Sequence, residues 1–497
     1  MKNRNCFGLV NVSGRSLHHP RGYVVPMRLL PVLVLGFGLM LASCANGETE
    51  TSSIGLNTTS EPAAVTSPPL PTGSTPSAPT APQGPLGPAL LEDLETLMSS
   101  LAAGGDREAI VRIGESGDPR VAWVLADLLR FVQVGSDAEA ILSAFETVTG
   151  TELTADPPGA GWVDASNLLI TWDVPAPPGY LDYKRRMFGL VEPRWEPFFE
   201  LDAEVDWRHV SWGGVFIDDR PDGDASLCPR GCIPALDDPA VSSAASGSWY
   251  PDNSIVFGIV VDNEARAYPK NMMEVHEMVN DTLGARRLGI PYCTLCGSAQ
   301  AYFTDAVPEG IRPPLLRTSG LLIRSNKMMF DLNTYSLIDT FRGNAVSGPL
   351  AEAGLQLEQV SVITSTWGAW KAAHPETTIL AEDGGIGRTY PADPLGGRDA
   401  GGPIFPIGEV DPRLPVQAQV LGVEALDGQF VAFPIDQANA ALDGGDKVEL
   451  AGVILTRDGS GLRATLTGGG EVASHQSFWF AWSQFHPKTL LWSPGFG

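Results

Sequence analysis

Two segments of this chain match residue for residue in their key positions. Trp367, Trp370, His374 and Pro375 recur with identical spacing as Trp479, Trp482, His486 and Pro487, each set followed by Thr and then a run of Ile or Leu. A second pair of segments precedes them in the same order. Ile255 to Val261 reads as a strand, Asp262-Asn263 as a turn and Glu264 to Pro269 as the returning strand. Gln419 to Pro434 repeats that pattern around Asp427-Gly428, with Gly422 standing where Gly258 does, and both second strands end in an aromatic-Pro pair. Two ordered echoes imply a duplication, which restricts the chain to folds in which two related β-rich halves pack as one body. The expected class is α+β, predominantly β, with an internally duplicated body behind a small helical domain.

The chain has 497 residues, about three units at roughly 150 residues each. Its hydrophobic content of 43%, with Gly 55 and Pro 41, suits turn-rich globular cores. Asp+Glu 58 against Lys+Arg 33 gives a net charge of −25. No basic stripe offsets it, so nucleic acid is excluded as an expected partner.

The N-terminal region reads as a leader. Arg28 precedes an apolar run from Leu29 to Met40, which ends in Leu41-Ala42-Ser43-Cys44. The run is too short to span a bilayer as a helix and closes on small residues, as in a secretory signal. Leu-Ala-Ser-Cys matches the bacterial lipobox, so residues 1–44 are expected to be a signal peptide whose Cys44 becomes a lipidated (diacylglyceryl, palmitate-type) N-terminus. Met27 is an equally good start, which would leave Cys6 outside the protein. The partner implied is a membrane, reached through acyl chains from the extracytoplasmic face. Residues 45–88 are poor in large apolar side chains and read as a flexible Ser/Thr/Pro tether.

Residues 89–175 carry helical periodicity, with Leu90, Leu91, Leu94 and Leu97 on one face and Val121, Val124, Leu125 and Leu128 on another. Asp106 and Asp118 are expected N-caps, Pro119 a first-turn residue, and Ser136 with Glu139 a capping box. The pattern suggests HEAT-type helical pairs or, equally, a small helical cap packed on the next domain. The β-rich halves are then expected over 176–384 and 385–497. Because both carry the Trp-Trp-His-Pro segment, His374 and His486 are expected to end helices.

Only the first half carries Cys293-Thr294-Leu295-Cys296-Gly297 and, upstream, His276-Glu277. Sulfurs at this spacing can form a disulfide or bind one metal ion. The pair is expected in a strand-to-strand turn, with Met273 to Asp281 as a short helix before it. In the redox reading Cys293 or Cys296 attacks and the other resolves. His276 or Arg287 supplies positive field, Glu277 tunes the thiol pKa, and Glu277 and Asp281 keep the imidazole charged. In the metal reading Cys293, Cys296 and His276 hold zinc or copper. In the third reading the pair is a structural disulfide in a lipoprotein that only binds a protein partner. Cys228 and Cys232 flank a Pro/Gly loop and are expected to form a local disulfide; a resolving pair or half of a zinc site are the alternatives.

These motifs resemble the bacterial domain of unknown function 3179. The resemblance runs through Gly179 to Lys184, Ile233 to Pro239, Glu264 to Pro269, His276 to Asp281, Tyr292 to Gly297 and Gly348-Pro349-Leu350. That family includes members read as selenoproteins with selenocysteine at one of the two thiol positions, which implies redox chemistry at Cys293 and Cys296, thiol-disulfide exchange with a protein or small thiol. The chain departs from it at Ile338, commonly Trp, and at Thr294, often Pro.

Overall fold

The computed structural model describes residues 75–153, 160–200, 203–228, 230–398 and 401–495. The leader, Cys6, Cys44 and most of the expected tether lie outside the described residues. No helix among the described residues is long and apolar enough to cross a membrane.

The N-terminal region holds α1 (Pro88–Ser100), α2 (Arg107–Glu115), α3 (Ala122–Phe131), α4 (Ser136–Thr149), α5 (Ala160–Trp172) and α6 (Tyr180–Val191). Asp106 caps α2 by accepting the N–H of Ala109 at 2.9 Å, and Asp118 accepts from Arg120 ahead of α3. The expected capping box is not formed. Gly135 is the N-cap of α4 with φ 87, so Ser136 lies one position too far inside the helix to cap it. Gly114 lets α2 cross α4 closely, since a Cβ there would lie 2.7 Å from the Cα of Ala144. The described end of the tether is laid against these helices: Leu86 is buried, and the carbonyls of Pro76 and Gly84 accept from Trp172 and Arg120.

Helix α3 is buried on nearly every face, and this forces its one acid to find a partner. Asp127 accepts from Lys184 Nζ at 2.7 Å and from the Tyr180 hydroxyl at 2.7 Å. Both donors stand on α6, in the Gly179-to-Lys184 motif. Burial pushes the Asp127 carboxyl up and the Lys184 ammonium down from their ordinary values. Arg130 continues the join to the β body. Its guanidinium lies over Trp162 and Trp212 at 4.5 and 4.8 Å, and its Nε donates to the carbonyl of Trp212.

Among the described residues the body contains five small sheets in a propeller-like ring. Two of them share one plan. In the first half the order is Ile363–Thr366, Ile255–Val261, Glu264–Pro269, Thr378–Leu380, with Val241–Ser243 added antiparallel at the edge. In the second it is Ser474–Phe478, Gln419–Glu424, Phe430–Pro434, Leu490–Leu491. Across the four shared strands the first two contacts are antiparallel and the third is parallel, and a short helix, Trp367–Ala373 or Trp479–Phe485, joins the first of these strands to the fourth. The details coincide down to single bonds. Trp370 Nε1 donates to Thr377 Oγ1 at 3.0 Å, and Trp482 Nε1 to Thr489 Oγ1 at 2.9 Å. His374 and His486 are the C-caps of the two helices, each ring set against the tryptophan of the preceding turn.

What differs is the insertion between the hairpin and the returning strand. After the helix Ile435–Asp443 the second half inserts the three-stranded sheet Val448–Leu450, Val453–Asp458, Gly461–Leu466. The first half inserts the strands that carry the thiols. These are Met278–Leu283, Arg286–Cys293, Ser298–Ala299 and Ala301–Phe303 in the six-stranded sheet, and Leu316–Ile323 with Asn326–Asp331 in the next. The expected helix over Met273 to Asp281 is thus half helix and half strand: Lys270–His276 is helical and Met278 opens the strand.

Candidate functional site

Strand Arg286–Cys293 delivers Cys293 to its end, and a tight turn closed by Cys296 N–H on Cys293 O at 3.2 Å brings back Cys296. Gly297 occupies the left-handed region at φ 58 and abuts Phe478, where a Cβ would come within 2.9 Å of the ring. The two thiols are free and completely buried. The lid over the turn comes from the second half: the N–H of Phe478 donates to Cys296 O at 2.9 Å.

A second hairpin tip supplies the floor. Between Leu316–Ile323 and Asn326–Asp331 the chain turns through Arg324 at φ 53, and the Ser325 carbonyl points at both sulfurs, 3.9 Å from Cys293 Sγ and 3.5 Å from Cys296 Sγ. Ser325 Oγ lies 3.7 Å from Cys296 Sγ and accepts from Gln484 Nε2 at 3.0 Å. Lys327 follows on the same strand and is buried. Its Nζ donates to Glu277 O at 2.6 Å and to Glu277 Oε2 at 3.2 Å. Glu277, the left-handed C-cap of its helix at φ 51, also accepts from Thr294 Oγ1 at 2.8 Å. A proline at 294 could not make that bond, so the threonine adds a tie between the thiol turn and the carboxylate.

These neighbours make the thiols unequal. Burial opposes the Cys293 thiolate, but the hydrogen bond from Cys296 and the N–H and ammonium of Lys327 outweigh it and hold this thiol below its ordinary value. Cys296 is driven the other way, first by burial and then by donating to Cys293. Around them, Ser298 Oγ, Asn326 Oδ1 and Gln484 Oε1 are buried and have no hydrogen-bond partner among the described residues. Ser298 stands directly across the ladder from Cys293. Buried polar atoms of this kind need an explanation, since leaving them unpaired costs stability.

His276 does not join this cluster. Glu277 turns the chain through a left-handed conformation, so adjacent side chains leave to different neighbours. The Nδ1 of His276 bonds the Pro234 carbonyl at 2.7 Å and its Nε2 the Tyr390 hydroxyl at 2.7 Å. Burial lowers its pKa to about 4, leaving the ring neutral at pH 7. The expected imidazolium beside the thiols is therefore corrected to the ammonium of Lys327. Arg287 pairs with Asp238, and Asp281 accepts from Arg266 and Tyr268, so neither reaches the sulfurs.

The zinc or copper set of Cys293, Cys296 and His276 is not assembled either. Among the described residues, the only group of three such ligand atoms within 4.8 Å of one another is Asp218, Cys228 and Cys232. Cys228 and Cys232 are joined as a disulfide with a Cα separation of 5.3 Å, and Asp218 is committed to Arg220 and the N–H of Ala235. Ile338 is buried in an apolar cluster with Met278, Tyr302 and Met329.

Sequence reading missed Ser325, Lys327 and Gln484. The one available signal was a lysine set directly before the apolar run Met328-Met329-Phe330, where a buried cation demands a partner. No curated protein and no solved structure is significantly similar to the chain. Residues 230–465, which span the thiol turn, its floor and most of the duplicated body, match the family model described as protein of unknown function (DUF3179).

Proposed function

We propose that Cys293 and Cys296 form a redox-cycling dithiol in a lipid-anchored extracytoplasmic protein. The observation that carries this reading is the inequality of the two thiols, set first by the hydrogen bond from Cys296 to Cys293 and helped by Lys327 on the neighbouring strand. Thiolate character at one cysteine and a retained proton at the other is the division that thiol-disulfide exchange requires. The Cys293 thiolate attacks one sulfur of a partner disulfide, which forms a mixed disulfide and expels the partner's other sulfur as thiolate. Cys296 then loses its proton and attacks Cys293 Sγ, releasing the second partner sulfur. The dithiol is oxidised by two electrons and the partner disulfide becomes two thiols. Because both sulfurs are buried, the partner reaches them when the Phe478 segment lifts from Cys296. The unpaired polar atoms of Ser298, Asn326 and Gln484 offer hydrogen bonds that an apolar structural bridge does not use.

Full burial favours a second reading, a permanent structural disulfide. Equilibration in graded dithiol buffers with thiol trapping and mass spectrometry separates the two, using Cys228→Ser/Cys232→Ser as background. Cycling at a potential above about −300 mV supports the redox role, and a pair that stays oxidised below it is structural. The lipid on Cys44 belongs to the same proposal and is tested by fractionating Cys44→Ser cells: a variant that remains in the membrane pellet overturns it. The six N-terminal helices, taken as HEAT-type pairs, would give the anchored protein a partner-binding surface.

A further inference from the structure

His276 leads away from the thiols to a second site. Its Tyr390 partner and Arg388 line a polar cleft of about 900 Å³ that also takes in Trp249, Asn271 and Asp383. This volume lies within the range of small-molecule sites. Gly384 makes room for the Tyr390 hydroxyl, because a Cβ there would come within 2.6 Å of the oxygen.

The cleft has a defined hydrogen-bonding polarity. The Pro234 carbonyl can only accept, so His276 keeps its proton on Nδ1 and presents a bare Nε2 to Tyr390. The single proton of Tyr390 is thereby used, and its oxygen offers only lone pairs to the cleft. Asn271, 8% exposed, donates its Nδ2 to Pro391 O, while its Oδ1 has no partner among the described residues. Trp249 contributes the complementary group, a buried Nε1 donor likewise without a partner. Arg388 lies over the Tyr390 ring at 5.8 Å and forms no ion pair with any described residue. The acids Glu382, Asp383 and Asp393 stand exposed on the rim.

We infer that this cleft binds a neutral, hydroxyl-rich ligand of the saccharide class. Sugar hydroxyls both donate and accept, which matches the lone-pair acceptor at Tyr390 set beside the donor Arg388. The indole of Trp249 supplies an apolar surface for the C–H face of a ring. The rim carboxylates outnumber the cations and disfavour a phosphate or another polyanion, while the unpaired Arg388 disfavours an amine.

The test is calorimetric titration of the full chain with cellotriose, maltotriose and chitotriose, with inorganic phosphate and spermidine as charged competitors. Saturable binding of at least one trisaccharide, weakened about tenfold or more in Tyr390→Phe, supports the site. Arg388→Gln and Asp383→Asn alter accessible side chains and provide the same readout should Tyr390→Phe unfold. Cys293→Ser/Cys296→Ser should bind as the parent does, which separates this cleft from the thiol chemistry. Heat from phosphate or spermidine alone, no saturable trisaccharide binding at millimolar concentration, or binding unchanged in all the cleft variants would overturn the inference.

Discussion

Gly422 lies so close to Trp482 that an added Cβ would come within 2.0 Å of the six-membered ring, and Gly258 stands in the same relation to Trp370 at 2.4 Å. In each half the glycine is the strand residue over which the helix packs its second tryptophan, and it pairs across the hairpin with an alanine, Ala432 or Ala267. The small pair forms a seat for the indole, whose Nε1 is then locked to a threonine. Gly422→Ala and Gly258→Ala should each destabilise the protein by about 1–3 kcal/mol, because a close-packed core has no room for the methyl. Thermal unfolding checks this against Gly468→Ala, a site with open space around it, which should leave the transition in place.

The buried pair on α3 and α6 gives a second prediction. Lys184→Met removes the charge that compensates Asp127, whose carboxylate would remain in the helical core with only Tyr180 as donor. The expected cost is about 3–5 kcal/mol in denaturant unfolding. Adding Asp127→Leu to Lys184→Met should recover much of that loss, since the desolvation penalty disappears with the second charge. A double variant no more stable than the single one would show that the pair holds the helices by geometry rather than by charge compensation.

The duplication was legible because it is written in local sequence: equal spacing of Trp, His and Pro, and strand-turn-strand patterns with the same glycine. The turn character of Cys293 to Gly297 was legible for a similar reason, since a glycine after the second cysteine permits φ 58. The helix ends at His374 and His486 followed from the proline after each. What could not be read was direction across distance. Whether His276 or Lys327 faces the sulfurs depends on Glu277 taking a left-handed conformation and on a hairpin tip some fifty residues downstream, neither of which leaves a periodic trace. The cleft at Tyr390 was hidden in the same way, in a glycine-rich loop with no repeat and no motif.

Acid sensitivity follows from the buried imidazoles. Burial lowers the pKa of His276 to about 4 and those of His475 and His486 to about 3. An unfolded histidine titrates near 6.5, so below that pH the unfolded chain binds more protons than the folded one. Stability should therefore be level above about pH 6.5 and fall as pH drops towards 4, by about 1.4 kcal/mol per pH unit for each such histidine. His486→Phe preserves the aromatic stack on Phe430 and removes one titrating group, so its melting temperature should decline less steeply across this window. Equal slopes for parent and variant would contradict the assignment.

Lys327 adds to the thiolate character that Cys293 gains first from the Cys296 hydrogen bond. Its Nζ bonds Glu277 while its backbone N–H and its charge both favour the Cys293 thiolate. Lys327→Met keeps the length and volume of the side chain but deletes the ammonium, leaving the Glu277 carboxylate unopposed beside the sulfur. Both changes raise the Cys293 pKa, the first by removing a favourable charge and the second by exposing an unfavourable one. The thiolate absorbance of Lys327→Met should accordingly appear at higher pH than in the parent, and alkylation of Cys293 at neutral pH should slow. Glu277→Gln separates the contributions: it removes the unfavourable charge, retains a side chain that can bond Thr294, and should move the Cys293 pKa down. If the two variants shifted the thiolate in the same direction, the charge on Lys327 would not be what activates the pair, and loosened packing around the Phe478 lid would account for the change instead.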